Sequence, residues 1–279
     1  MGPHELFTIL WARRRLIIIV AVVVALGSFT TSLFLPRSYE ARAILAPVSA
    51  SSSDGILASA SSSPMSLGGI AQFMGLPLGA QARQAEAVAL LESDVLTEKF
   101  IRDNDLLPVL YASSWDATGR RWKVNDPQKI PTLWRASQLF KKDIRTIKTD
   151  RRTGIVTLTI EWQDPRLAAA WANGLVKMAN EYLRAQALAD SERNIAYLNQ
   201  EIAATNLVQT RQVIYSVLRT EISKQMLARG GEQYAFKVID PALVPEKAAF
   251  PNHIVWLLVG MFLGLFASCF LVTLRAALV

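Results

Sequence analysis

The sequence is poor in the side chains from which most active sites are built. It holds one cysteine, Cys269, in 279 residues, so neither an internal disulfide nor a cysteine-based metal cluster can form. Its two histidines, His4 and His253, lie near opposite ends and cannot make a zinc site alone. Charged residues are 19% of the chain, against roughly 25% in an average soluble domain. There is no glycine-rich phosphate loop ending in Gly-Lys-Ser or Gly-Lys-Thr, no zinc-protease helix motif and no nucleophile elbow. Glu161, Asp164, Glu181 and Glu201 fall on helix surfaces or strand ends, where a lone carboxylate is an ordinary surface charge. The expectation is a protein that is not an enzyme, with no catalytic residue, no metal and no cofactor.

What the chain does have is hydrophobic residues, 51% of the total, gathered into two runs. Leu16 to Leu35 and Ile254 to Leu274 carry no charge. As helices, each covers about 30 Å, one bilayer core. A cleaved signal peptide would have a shorter apolar core, and Ala41-Arg42-Ala43 lies too far beyond the run to serve as its cleavage site. Arg13, Arg14 and Arg15 flank the first run, which predicts a cytoplasmic N-terminus. Two spans return the chain, so residues 275–279 are expected in the cytoplasm too. The net charge of +7 is partly this topology signal. Setting aside the flanking arginines and Glu5 leaves about +4 over the middle, too diffuse for a nucleic-acid footprint.

The intervening segment reads as α+β. Tyr39 to Leu45 alternates like a strand. Ala46 to Pro64 is a Ser-, Ala- and Gly-rich loop. Ser66 to Leu76 is a short helix broken by glycines. Residues 81–91 and 94–106 read as helices, with an apolar stripe of Val88, Leu91, Val95, Leu96, Phe100 and Ile101. Leu133 to Lys142 is a further helix. Ile144 to Lys148 and Ile155 to Trp162 form a β-hairpin around the turn Asp150 to Gly154.

Asp164 and Pro165 then open a helix that runs unbroken to Ala204, about 60 Å. Thr205-Asn206 reverses the chain. Val208 to Arg229 returns, with Val213, Val217, Ile222 and Met226 near one face, and Gly230-Gly231 ends it. The pair is an antiparallel helical hairpin projecting from a small base, and Tyr234 to Ile239 is the strand that returns to that base. Residues His4 to Trp11 are read either as an amphipathic surface helix or as a frayed end.

The boundaries are therefore 1–15, cytoplasmic N-terminus; 16–36, first span; 37–163, periplasmic base; 164–232, helical hairpin; 233–253, return strand and connector; 254–274, second span; 275–279, cytoplasmic tail. Three prolines, Pro241, Pro245 and Pro251, stiffen the connector. Gly260, Gly264 and Ser268 recur every fourth residue on the second span, a small-residue face suited to helix packing. Ala21 and Ala25 offer a weaker one on the first. Trp115, Trp122, Trp134, Trp162 and Trp171 could stack on sugars, but core packing is their default role. Arg151-Arg152 is the polar tip of the β-hairpin. No binding residue is singled out.

The order of features resembles the Wzz chain-length determinant family of polysaccharide co-polymerases without a fused kinase domain. The resemblance is carried by LWARRRLIIIVAVVV with LPRSYEARAIL, by ALLESDVLTEKFIRDNDLLPVLY with SSWDA, by TGIVTLTIEWQDPRLAAAWANGLVKMANEYLR and ERNIAYLNQEIA, and by EQYAFKVIDPALVPEKAAFPN before a glycine-bearing span. It implies a two-span protein of the bacterial inner membrane that assembles into a closed homo-oligomeric ring. It also implies partners: a Wzy-type polymerase, lipid-linked polysaccharide and the membrane, with no nucleic acid. The implied role is to set the length of O-antigen, capsule or exopolysaccharide chains. Any kinase is expected as a separate polypeptide. The nearest rival is an export subunit or kinase adaptor; a membrane receptor with an external ligand-binding domain is more distant.

Overall fold

The computed structural model describes residues 14–48, 80–116, 118–123, 126, 130–231 and 233–277. Arg13, the stretch His4 to Trp11, the helix expected over Ser66 to Leu76 and most of the Ser-rich loop lie outside these residues. In chain order the elements are α1 (Arg14–Phe34), β1 (Tyr39–Pro47), α2 (Ala80–Glu92), α3 (Asp94–Asp103), α4 (Leu107–Leu110), β2 (Trp115–Asp116) and β3 (Arg121–Trp122). There follow α5 (Leu133–Leu139), β4 (Arg145–Thr149), β5 (Val156–Trp162), α6 (Pro165–Ala204), α7 (Val208–Gly230), β6 (Phe236–Asp240) and α8 (His253–Ala277). The architecture is thus mixed helix and sheet with a long helical hairpin. The chain divides into two compact units.

The first unit holds residues up to Glu40, Trp162–Pro165 and everything from Pro245 onward. Its main feature is the extensive contact between α1 and α8. The two helices have 21 and 25 residues, about 31 and 37 Å long. Side chains are described for residues 18–34 of α1 and 254–268 of α8. Among the described residues, no helix is long and apolar enough to cross a membrane. The expected boundaries shift slightly: α1 ends at Phe34, before Pro36, and α8 continues through Arg275.

The second unit, Ala41–Glu161 with Arg166–Val244, is built on a four-stranded sheet of order β4-β5-β1-β6. Alternation sets its faces, since successive strand residues point to opposite sides. Ala41, Ala43 and Leu45 of β1 are buried, as are Val156, Leu158 and Ile160 of β5. β4 and β5 pair antiparallel from Arg145↔Ile160 to Thr149↔Val156. Their turn is closed by Asp150, which accepts from Arg152 N and Thr153 Oγ1, and by Gly154 at φ +72°. β6 pairs antiparallel with β1 across an irregularity at Ile44/Leu45.

The helices bury one stripe each. Ser93 caps α3 by accepting from Leu96 N at 3.1 Å, and Leu96, Phe100 and Ile101 face inward. Val95, expected on that stripe, is exposed. Phe100 stacks near Phe140 at 5.9 Å, and Phe140 near Trp171 of α6 at 6.0 Å. Gly174 lets α6 approach this cluster: a Cβ there would sit 3.2 Å from the Phe100 ring. The helix expected to run through Lys142 changes character earlier. After Leu139 it widens into a π-turn over Phe140–Ile144, which feeds β4 directly.

α6 is one continuous helix of 40 residues, buried mainly from Ala168 to Leu183. α7 returns after a short reversal held by Arg211, which donates twice to Thr205 O at 3.0 and 2.7 Å. On α7 the apolar residues Val213, Val217, Ile222 and Met226 are all exposed, and Glu221 and Ala228 are the buried positions. α6 and α7 make polar contacts, Asn194 with Glu221 and Arg229 with Glu192.

Candidate functional site

No group of three or more His, Cys, Asp or Glu residues that could hold a metal occurs among the described residues. Three other constellations stand out. The first is the segment between β6 and α8. β6 is an edge strand, and edge strands expose unpaired main-chain groups. Two asparagines of α6, seven residues apart and so near one helix face, satisfy them. Asn180, 3% exposed, accepts from Ala235 N and Phe236 N at 2.8 Å each and donates to Phe236 O at 3.0 Å. Asn173 accepts from Ala242 N at 3.0 Å and donates to Ala242 O at 2.9 Å. Each amide mimics a neighbouring strand, and β6 is gripped at both ends.

The connector prolines lie along the next stretch. Pro241 is exposed, Pro245 half-buried and Pro251 buried. The Phe250–Pro251 peptide is cis. The end of the connector is paired with the residue that precedes β1: Ser38 N donates to Phe250 O at 3.0 Å, and Ala249 N to Ser38 O at 2.8 Å. This stretch is therefore a hydrogen-bonded element in its own right and not a free loop.

The second constellation is the α1–α8 contact. A Cβ on Gly260 would meet Ser28 Cβ at 2.5 Å, and one on Gly264 would meet Ala21 Cα at 2.8 Å. No side chain fits at either position without separating the helices. Ser28 Oγ donates across to Trp256 O at 2.8 Å. Ala21 and Ala25 are buried in the same contact. Ser268 is buried too, its hydroxyl donating to Leu265 O of its own helix. The glycine stripe thus joins two helices of one chain. Arg14 and Arg15 are the first two residues of α1.

The third is a charged recess of about 320 Å³ lined by Glu92, Lys141, Arg145 and Ile147. α2 ends at Glu92, the π-turn supplies Lys141, and β4 supplies Arg145 and Ile147. Arg145 is buried and donates to Thr97 Oγ1 at 2.8 Å and to the main-chain oxygen of Glu92 at 3.1 Å. Burial pulls its pKa down to about 10, against the opposing pull of the Glu92 and Asp94 carboxylates. Lys141 bonds Asp94 at 3.0 Å, and Ser137 donates to the same carboxylate oxygen at 3.1 Å. The Lys141 bond, with a smaller contribution from Ser137, holds Asp94 below the ordinary carboxyl range against a modest burial effect.

Sequence reasoning missed the asparagine grips and the buried arginine. Asn in a helix and Arg at a strand start both read as surface residues. The tryptophans divide: Trp171 is core, Trp115 and Trp122 pack edge to face at 4.8 Å across β2 and β3, and Trp134 is exposed.

Comparison with known proteins bears on the N-terminal third. Residues 4–104 match the Wzz family, described as chain length determinant protein, the same family that the sequence resembles. No curated protein matches the chain. Among solved structures, a full-length bacterial polysaccharide co-polymerase is similar at 11% identity and a TM-score of 0.43, over 99% of this chain and 98% of that one.

Proposed function

With residues 4–104 matching the Wzz chain length determinants as premise, we propose that this chain regulates the length of a bacterial surface polysaccharide. It does so as a scaffold of the inner membrane, and that family match is the observation that carries the reading. The stretches 16–35 and 254–274 are the membrane spans, supported by uncharged apolar runs of bilayer length. Arg13, Arg14 and Arg15 hold the N-terminus in the cytoplasm. The sheet unit and the α6–α7 hairpin then stand in the periplasm.

Self-association into a closed ring is part of the proposal. Its support is the apolar surface of α7, where Val208, Val213, Tyr215, Val217 and Met226 are exposed on one helix. Exposed apolar side chains in that number on one helix offer contacts to a second copy. The partners in this reading are a Wzy-type polymerase and its lipid-linked polysaccharide. The chain makes and breaks no bond; it biases when the polymerase releases the growing polymer. Deleting the protein and resolving the surface polysaccharide by gel electrophoresis tests this. Synthesis should persist with a broadened length distribution. Complete loss of polymer with precursors intact would instead indicate an export subunit or kinase adaptor.

A further inference from the structure

Arg145 is a cation that forms no ion pair with a carboxylate among the described residues. It is 6% exposed, and its hydrogen bonds run to two neutral acceptors, a threonine hydroxyl and a main-chain carbonyl. Those use two of the five N–H donors of a guanidinium. The other cation of the recess, Lys141, bonds the exposed Asp94 carboxylate and keeps part of its side chain open to solvent. A buried charge is stable when an opposite charge compensates it as well as hydrogen bonds. Here the Glu92 and Asp94 carboxylates act from a distance, and burial outweighs both. The recess beside Arg145, about 320 Å³, lies at the small end of the usual range for ligand sites, about 300–1,000 Å³.

We propose that this recess binds an oxyanion, a carboxylate or phosphate group, with Arg145 and Lys141 as its two cations. The guanidinium fork matches either group bidentately, and the ammonium adds a second, movable donor. Glu92 works against a bare anion, because it borders the same space and its negative charge acts on Arg145. The same carboxylate accepts hydrogen bonds from hydroxyls, and Ile147 offers an apolar wall. An anion carried on a hydroxylated ring therefore fits better than inorganic phosphate: an acidic sugar unit. The sugar part of this assignment rests on the reading of the chain as a polysaccharide regulator; the anion part does not.

Calorimetric titration of the purified full-length protein in detergent tests it, with sodium glucuronate, inorganic phosphate and glucose as separate probes. Glucuronate is expected to bind in the millimolar range, phosphate more weakly and glucose not at all. Lys141→Gln should weaken glucuronate binding by about fivefold or more, the loss of one charge-assisted bond. Glu92→Gln should tighten phosphate binding. Arg145→Lys keeps the charge and loses the fork, so it should weaken both anions; if that variant does not fold, Lys141→Gln and Glu92→Gln carry the test. Absence of anion binding, or binding unchanged in Lys141→Gln, overturns the site. Glucose binding as tightly as glucuronate overturns the role of charge. Phosphate binding as tightly as glucuronate overturns the acidic-sugar assignment and leaves the anion site. The deletion phenotype is read independently, so the two proposals fail separately.

Discussion

Asn180 carries more of the fold than its residue type suggests. Replacing it with Ala strands two N–H groups and one carbonyl at the buried start of β6. Each buried orphan costs about 1–3 kcal/mol, so with partial relaxation Asn180→Ala should destabilise the sheet unit by about 2–4 kcal/mol. A denaturant melt of the purified protein followed by tryptophan fluorescence checks this. Asn173→Ala, at a more exposed position, should cost about 1 kcal/mol. Asp94 gives a pH prediction. Its folded-state pKa lies below the ordinary value of 3.8, because Lys141 and Ser137 favour the charged form. The stability it contributes is therefore present above that value and is lost as pH falls through the lower, folded-state pKa. Wild type and Asp94→Asn should differ in melting temperature at neutral pH and converge in acid; a constant gap would contradict the assigned bond. Neither asparagine announced itself in the sequence. A helical Asn is ordinarily a solvated residue, and only the approach of an edge strand gives it a buried task. Arg145 was hidden for a related reason: its neighbours in space, Thr97 and Glu92, are about fifty residues away in sequence.

At the level of elements, local signals were the most legible. The alternation in Val156, Leu158 and Ile160 marked β5, the Asp150–Gly154 turn marked the β4–β5 hairpin, and Asp164-Pro165 marked the start of α6. These depend on residues close in sequence. What was not legible was rotation. The recurrence of Val213, Val217, Ile222 and Met226 identified α7 as a helix but not which of its residues are buried, and those are Glu221 and Ala228. The outward face carries a prediction: Val213→Ser with Val217→Ser should leave the melt unchanged while chemical crosslinking yields smaller oligomers. Undiminished oligomers would place self-association elsewhere. The glycines of α8 carry another. Gly260→Leu with Gly264→Leu forces side chains into space occupied by Ser28 and the Ala21 backbone. If both helices cross the membrane, each lost contact is worth about 1 kcal/mol. The double variant should insert, keep the fold of its sheet unit, and lose the proximity of α1 to α8. Cysteines replacing Ser28 and Trp256, which touch across the two helices, on a Cys269→Ser background should then crosslink less than in the parent.

For the whole molecule, the features that decide the reading lie in the sequence's coarse order: two apolar runs, an arginine cluster before the first, and an α+β segment between them. The proposed topology rests on these and is open to direct labelling. A cysteine at Gln200, exposed on α6, should react with a membrane-impermeant thiol reagent once the outer membrane is permeabilised. Reaction at a cysteine placed in the N-terminal segment instead would reverse the orientation. The central claim is that this chain sets polymer length without making polymer. Its most direct measurement is the band pattern of surface polysaccharide from a deletion strain and from the same strain complemented with the wild-type chain. The account predicts continued synthesis with a broad distribution in the deletion and a restored narrow mode on complementation. An unchanged mode in the deletion would contradict it.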